Sequence, residues 1–208
     1  RFNKCNGDVR IMNKRGVFRI LLGMFLLLTI SACASEPISK EFISKLRVYS
    51  SLCNTKLIGR QAEMTDELIN MAGNDFNKWL LIAEPLSRTT LVGRQGQVFD
   101  QLITASWEDE EALMIIAELL SRTSLVGRQG QVFDKLIIDN WKDFNSLLNV
   151  AELLSQTNLT GRQSQVFDQL IMNSWNNKHK LEKVSNALNK TELIGRQSQV
   201  IDRLLELE

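Results

Sequence analysis

Apolar side chains recur at helical spacing along most of this chain. Leu91, Val98, Phe99, Leu102 and Ile103 form one stripe, and Phe144, Leu147, Leu148, Ala151 and Leu154 form another. Residues three and four apart share a helix face, so both windows predict amphipathic helices that bury one side. No alternating apolar and polar stretch is long enough to build a sheet. Only two prolines, Pro37 and Pro85, interrupt the sequence. Both observations point to an all-α protein.

The helical pattern repeats. Gly-Arg-Gln begins at Gly59, Gly93, Gly127, Gly161 and Gly195, always 34 residues apart, with no insertion or deletion between copies. A fixed period in this range marks stacked helix pairs. The first helix of a copy runs from about Leu91 to Ser106. Thr89 precedes it and recurs as Thr55, Thr123, Thr157 and Thr191; its hydroxyl can accept a bond from a free N–H of the first turn. The second helix is expected to start at Asp109, with Asp75, Asp143 and Asn177 as N-caps at the same place. Two or three residues join the pair, so the helices run antiparallel. Pro85 falls inside a second helix and predicts a kink or an early end there.

One helix pair cannot cover its own apolar face, so the copies must stack on each other. The expected fold is a right-handed αα superhelix spanning residues 39–208. It has four 34-residue helix pairs starting near Leu57, Leu91, Leu125 and Leu159, and a half-copy at Leu193. Ser39–Asn54, with Phe42, Leu46, Tyr49 and Leu52 in register, reads as a lone second helix. The half-copy is a lone first helix. Single helices therefore flank the array, making ten in all.

The N-terminus follows a different pattern. Met12, Lys14, Arg15 and Arg19 precede an apolar run from Ile20 to Ile30, too short to span a bilayer comfortably. The sequence then reads Ile30-Ser31-Ala32-Cys33. This order of charge, apolar run, small residues and Cys resembles a bacterial lipoprotein signal with its lipobox. The resemblance implies a signal peptide over 12–32, lipidation of Cys33 and a short linker over 33–38. An ordinary secretory signal cut near Ala32 or Ala34 is the alternative. Residues 1–11 read as upstream read-through, or else as a cytoplasmic extension. Ala34 follows the Cys where Asp would be a retention signal. In a two-membrane bacterium that implies an outer-membrane protein facing the periplasm. Several acyl chains hold firmly, since each buried methylene contributes about 0.8 kcal/mol.

Charge and cysteine content narrow the function classes. Residues 1–32 hold six of the 25 Lys/Arg and one of the 24 Asp/Glu, which leaves 19 basic (25 less 6) against 23 acidic (24 less 1) from Cys33 onward. A slightly acidic body gives no reason to expect a nucleic-acid partner. With Cys33 lipidated and Cys5 upstream, only Cys53 remains; it reads as a buried thiol beside Leu52 and Leu57.

Two ladders carry the candidate chemistry. Arg60, Arg94, Arg128, Arg162 and Arg196 accompany Asp66, Asp100, Asp134, Asp168 and Asp202. The guanidinium groups could bind an acidic peptide, a C-terminal carboxylate or a glycan phosphate. Alternatively, Arg of one copy pairs with Asp of the next and sets the angle between copies. Gln61, Gln95, Gln129, Gln163 and Gln197 point into the apolar stripe. A buried amide must be bonded, to backbone or to amides of neighbouring copies, unless the helix begins at Arg94 and leaves it open. Gln97, Gln131, Gln165 and Gln199, with Glu63 in the first copy, fall on the polar face and could line a groove together with the Arg ladder. Trp107, Trp141 and Trp175 are expected to pack in the core, and Gly93 and Gly96 to permit close approach. His179 is the only His, with no cluster around it, and suits neither a metal nor catalysis. No phosphate loop, nucleophile elbow or carboxylate pair appears, so no cofactor, metal or enzymatic activity is expected.

The helix-pair period resembles tetratricopeptide repeats in length and layout only. That family's Trp, Leu-Gly, Tyr, Ala and Pro pattern does not map onto these copies. Outer-membrane lipoproteins built from such repeats act as assembly factors and pilotins. The resemblance thus implies a lipid-anchored scaffold for a protein or peptide partner. A structural or exclusion lipoprotein with no groove, or an envelope-processing enzyme, are the alternatives.

Overall fold

The computed structural model describes residues 37–207. The proposed signal segment, Cys33 and Glu208 lie outside the described residues. Ten α-helices and no strand occur among the described residues. They are α1 (Lys40–Leu52), α2 (Ile58–Ala72), α3 (Phe76–Leu86), α4 (Val92–Ser106), α5 (Glu110–Leu120), α6 (Val126–Asn140), α7 (Phe144–Leu154), α8 (Thr160–Ser174), α9 (Lys178–Leu188) and α10 (Ile194–Glu206). Consecutive helices pack in pairs, and several also touch the helix two places along. All belong to one unit, Ile38–Glu208. The all-α expectation therefore holds, as does the count of ten helices.

The second helices start where an oxygen waits for them. Asp75, Asp109, Asp143 and Asn177 are N-caps, and each side chain accepts a bond from a first-turn N–H. Ser39 does the same for α1 through the Phe42 N–H. These bonds satisfy donors that the helix itself leaves free.

The first helices start differently, and the expected role of Thr89 needs correcting. The N-cap is Leu91, and no side chain caps it. Thr89 lies two residues upstream of that N-cap, beyond reach of the first turn. Its hydroxyl instead donates to the Leu86 carbonyl at 2.9 Å and accepts from the Leu91 N–H at 3.3 Å. Thr55, Thr123, Thr157 and Thr191 make the same two contacts in their own connectors. The hydroxyl therefore joins the end of one helix to the start of the next.

Pro85 brings no early end. α3 has 11 residues, as do α5, α7 and α9. Pro85 sits one residue from the end of α3, where little helix remains to be broken, and the Ser87 N–H still donates to the Ala83 carbonyl.

Apolar faces of successive helices close the core. Phe99, Phe133 and Phe167 are completely buried, as are Leu102, Leu113, Ile116 and Leu120. Burying each such side chain contributes roughly 1.5–3 kcal/mol. In the first copy Thr65 stands where the next three have Phe. Tyr49 from α1 fills that space, its hydroxyl 3.0 Å from the Thr65 hydroxyl, which donates to the Gln61 carbonyl at 2.7 Å.

Candidate functional site

The glutamines of the Gly-Arg-Gln marks, buried in the first four copies and half-buried at Gln197, are the most uniform feature. Gln95 Nε2 donates to the Leu86 carbonyl at 3.0 Å and to the Thr89 carbonyl at 2.8 Å. Gln61, Gln129, Gln163 and Gln197 repeat both bonds across their own connectors at 2.8–3.0 Å. Of the sequence alternatives, bonding to backbone is the one observed. The last carbonyls of a helix have no partner within it. Each amide reaches back from the next helix and adds a donor to a carbonyl that already accepts from the connector Thr N–H and hydroxyl. Among the described residues, no buried side-chain nitrogen or oxygen lacks a partner.

The arginine ladder is engaged between copies. Arg94 grips Asp66 through Nε at 2.8 Å and Nη2 at 2.6 Å. Arg128 holds Asp100, Arg162 holds Asp134 and Arg196 holds Asp168, all at 2.6–2.7 Å. The direction is opposite to that expected: each Arg reaches the Asp of the copy before it. The cause is register, because the Arg lies at the start of its helix and the Asp nearly two turns along the first helix of the preceding copy. Hydrogen bonds from Arg94, Arg128 and Arg162 hold Asp66, Asp100 and Asp134 below the usual carboxylate range. The paired arginines are raised in turn. Arg60 differs. It has no preceding copy, stays 75% exposed and meets only Glu63 at 3.3 Å.

The glycines divide into two classes. A Cβ on Gly96 or Gly130 would lie 3.1 or 2.9 Å from the guanidinium of Arg128 or Arg162, so these two do allow close approach. Gly93 does not: nothing lies within 4 Å of a Cβ there, nor at Gly59, Gly127, Gly161 or Gly195. The Gly of each Gly-Arg-Gln mark faces open space.

Gln97, Gln131, Gln165 and Gln199 are exposed on the outward side of α4, α6, α8 and α10. None of these side chains makes a hydrogen bond within the described residues. Ile138 and Met172 lie two turns further along α6 and α8 on the same side, both strongly exposed. Sequence reading placed the glutamines there but overlooked these two apolar residues, whose signal was a large side chain interrupting the polar face. A depression of about 330 Å³ lies elsewhere, between α5 and α7, lined by Glu110, Glu111, Met114, Ile115, Ser146 and Asn149.

Other expectations shift in detail. Trp107, Trp141 and Trp175 are half-buried C-caps rather than core residues, because they lie at helix ends beside solvent. The Trp175 ring carries the Arg203 guanidinium at 5.2 Å, and its carbonyl accepts from Arg203 Nε at 3.0 Å. Sequence reading missed this Arg, which replaces Gln or Lys of the three preceding copies. Cys53 is half-buried rather than buried, and desolvation pushes its thiol up. Its neighbour Leu57 is exposed. His179 is exposed, with Glu182 at 3.7 Å. No group of three His, Cys, Asp or Glu able to hold a metal occurs among the described residues. Compared with family models, curated proteins and solved structures, the chain matches none.

Proposed function

We propose that this chain is a lipid-anchored bacterial envelope protein whose helices form a right-handed superhelix of four 34-residue pairs and bind a protein or peptide partner. Cys33 carries the acyl chains, and the body faces the periplasm when the organism has two membranes. The observation that carries the binding role is the row of exposed, unbonded amides Gln97, Gln131, Gln165 and Gln199. Side-chain amides offer both donors and acceptors, which suits an extended peptide. Ile138 and Met172 add apolar contact beside Gln131 and Gln165. The face is therefore narrower than the ladders suggested. Arg94, Arg128, Arg162 and Arg196 are committed to carboxylates of this chain.

That commitment also favours a second reading, a structural lipoprotein whose ladders only join copies. Two measurements separate the possibilities. Cys33→Ser abolishes incorporation of labelled palmitate and releases the protein from membranes; retained label would end the anchoring proposal. A photocrosslinker at Gln131 or Gln165 traps one discrete protein in cells, and Met172→Glu removes that product. A crosslinker that traps nothing at either position leaves the structural reading standing alone.

A further inference from the structure

Links between copies show which helix ends share an edge. The Lys78 ammonium stands 6.0 Å over the Phe42 ring and joins the first turns of α1 and α3. Lys180 stands 4.8 Å over the Phe144 ring and does the same for α7 and α9. At the far ends of the first helices, Lys135 of α6 lies 4.0 Å from Glu108, which precedes α5. Arg203 of α10 bonds the Trp175 carbonyl and the Asn176 side chain, which follow α8. One edge therefore collects the starts of α1 and of the second helices with the ends of the first helices.

That edge holds Trp107, Trp141 and Trp175, each half-buried. Ile138 and Met172, strongly exposed, stand one turn before Trp141 and Trp175, where the glutamine face meets the edge. The charges nearby are mixed in sign, among them Glu108, Lys142, Asp143 and Lys178. An indole joins an apolar body to a polar N–H, and such rings are enriched where hydrocarbon meets water at a bilayer surface.

The tether favours the same edge; this step rests on the reading of Cys33 as the lipidated residue. Lys40 begins α1 at this edge, seven residue steps after Cys33 (40 less 33). Seven steps span at most about 25 Å when fully extended. The opposite edge also exposes apolar side chains, Ile58, Val92, Val126 and Ile194. It carries no Trp among the described residues and lies the length of the 13-residue α1 further on, about 20 Å. A lipid beneath that edge would need nearly the whole reach of the tether, running back alongside the helix.

We infer that the tryptophan edge rests on the lipid headgroups, with Trp107, Trp141 and Trp175 set into the interface and the helices standing upright on the bilayer. That posture turns the glutamine face sideways and leaves it open to a partner.

A photoreactive benzophenone side chain tests the contact, using the full chain reconstituted into phosphatidylcholine vesicles. In place of Trp107 or Trp141 it forms phospholipid adducts, detected by mass spectrometry. In place of Val126 or Ile194, on the opposite edge, it forms none. Raised salt leaves the yield unchanged, because rings rather than charges make the contact. Trp107→Gln together with Trp141→Gln, the reporter now at exposed Lys142, loses the adduct while the protein still floats with the vesicles. Circular dichroism confirms that this variant remains helical. Full adduct yield from it would mean that the tether alone sets the posture, and the rings would lose their role. Adducts at Val126 rather than Trp141 would overturn the inference, as would a chain that floats with the vesicles yet gives no adduct at either tryptophan position. A chain that does not float at all fails earlier, at the lipidation of Cys33, and the inference falls with that reading.

Discussion

At the scale of single residues, the decisive group is a buried amide. Gln129 gives hydrogens to the Leu120 and Thr123 carbonyls, which close the C-terminal end of α5. Removing the amide takes the side-chain donor from the Thr123 carbonyl, while the Leu120 carbonyl keeps the Thr123 N–H and hydroxyl. Gln129→Ala should therefore lower the free energy of unfolding by about 1–3 kcal/mol, read from urea denaturation. Gln131→Ala, two residues on and turned to solvent, should leave the same measurement almost unchanged. The need for a partner was legible from the chain, because Gln129 interrupts an apolar stripe. Which partner it finds was not. Two carbonyls of the preceding connector are its acceptors, and their approach depends on how tightly that connector turns.

At the scale of helices, two kinds of start alternate. Second helices rely on an Asp or Asn oxygen, a local device that sequence spacing reveals directly. Asp109→Ala should cost about 1 kcal/mol, measured as a lower urea midpoint with an unchanged slope. First helices rely on connector geometry instead, so the Thr hydroxyl read as a cap turned out to tie two helices together. The same distinction separates the two glycine classes. Gly96 and Gly130 lie beneath a guanidinium from the next copy, whereas Gly93 and Gly127 lie beneath nothing. Both classes look alike in one dimension, because only the packing of a neighbouring copy makes one of them crowded.

At the scale of the whole molecule, inter-copy ion pairs link stability to pH. Asp66, Asp100 and Asp134 have folded-state values below those of the unfolded chain. Their contribution is therefore complete above the unfolded carboxylate value of about 4 and disappears as pH falls through the lowered folded value. Each Asp is more than half exposed, so each pair contributes modestly and salt weakens it. Thermal melts should lose stability below about pH 4, and Asp100→Asn should show a shallower loss over that range. A melting temperature independent of pH there would contradict the linkage. The chain by itself determined that the protein is helical and where each second helix starts. Those features follow from apolar spacing and short-range capping, which are written in neighbouring residues. Only the tertiary structure decided that each arginine reaches backward rather than forward, that the inner glutamines bind backbone, and that Trp107, Trp141 and Trp175 share an edge with the start of α1. Those outcomes depend on the offset between stacked helices, a distance in space that the spacing of letters along a chain does not contain.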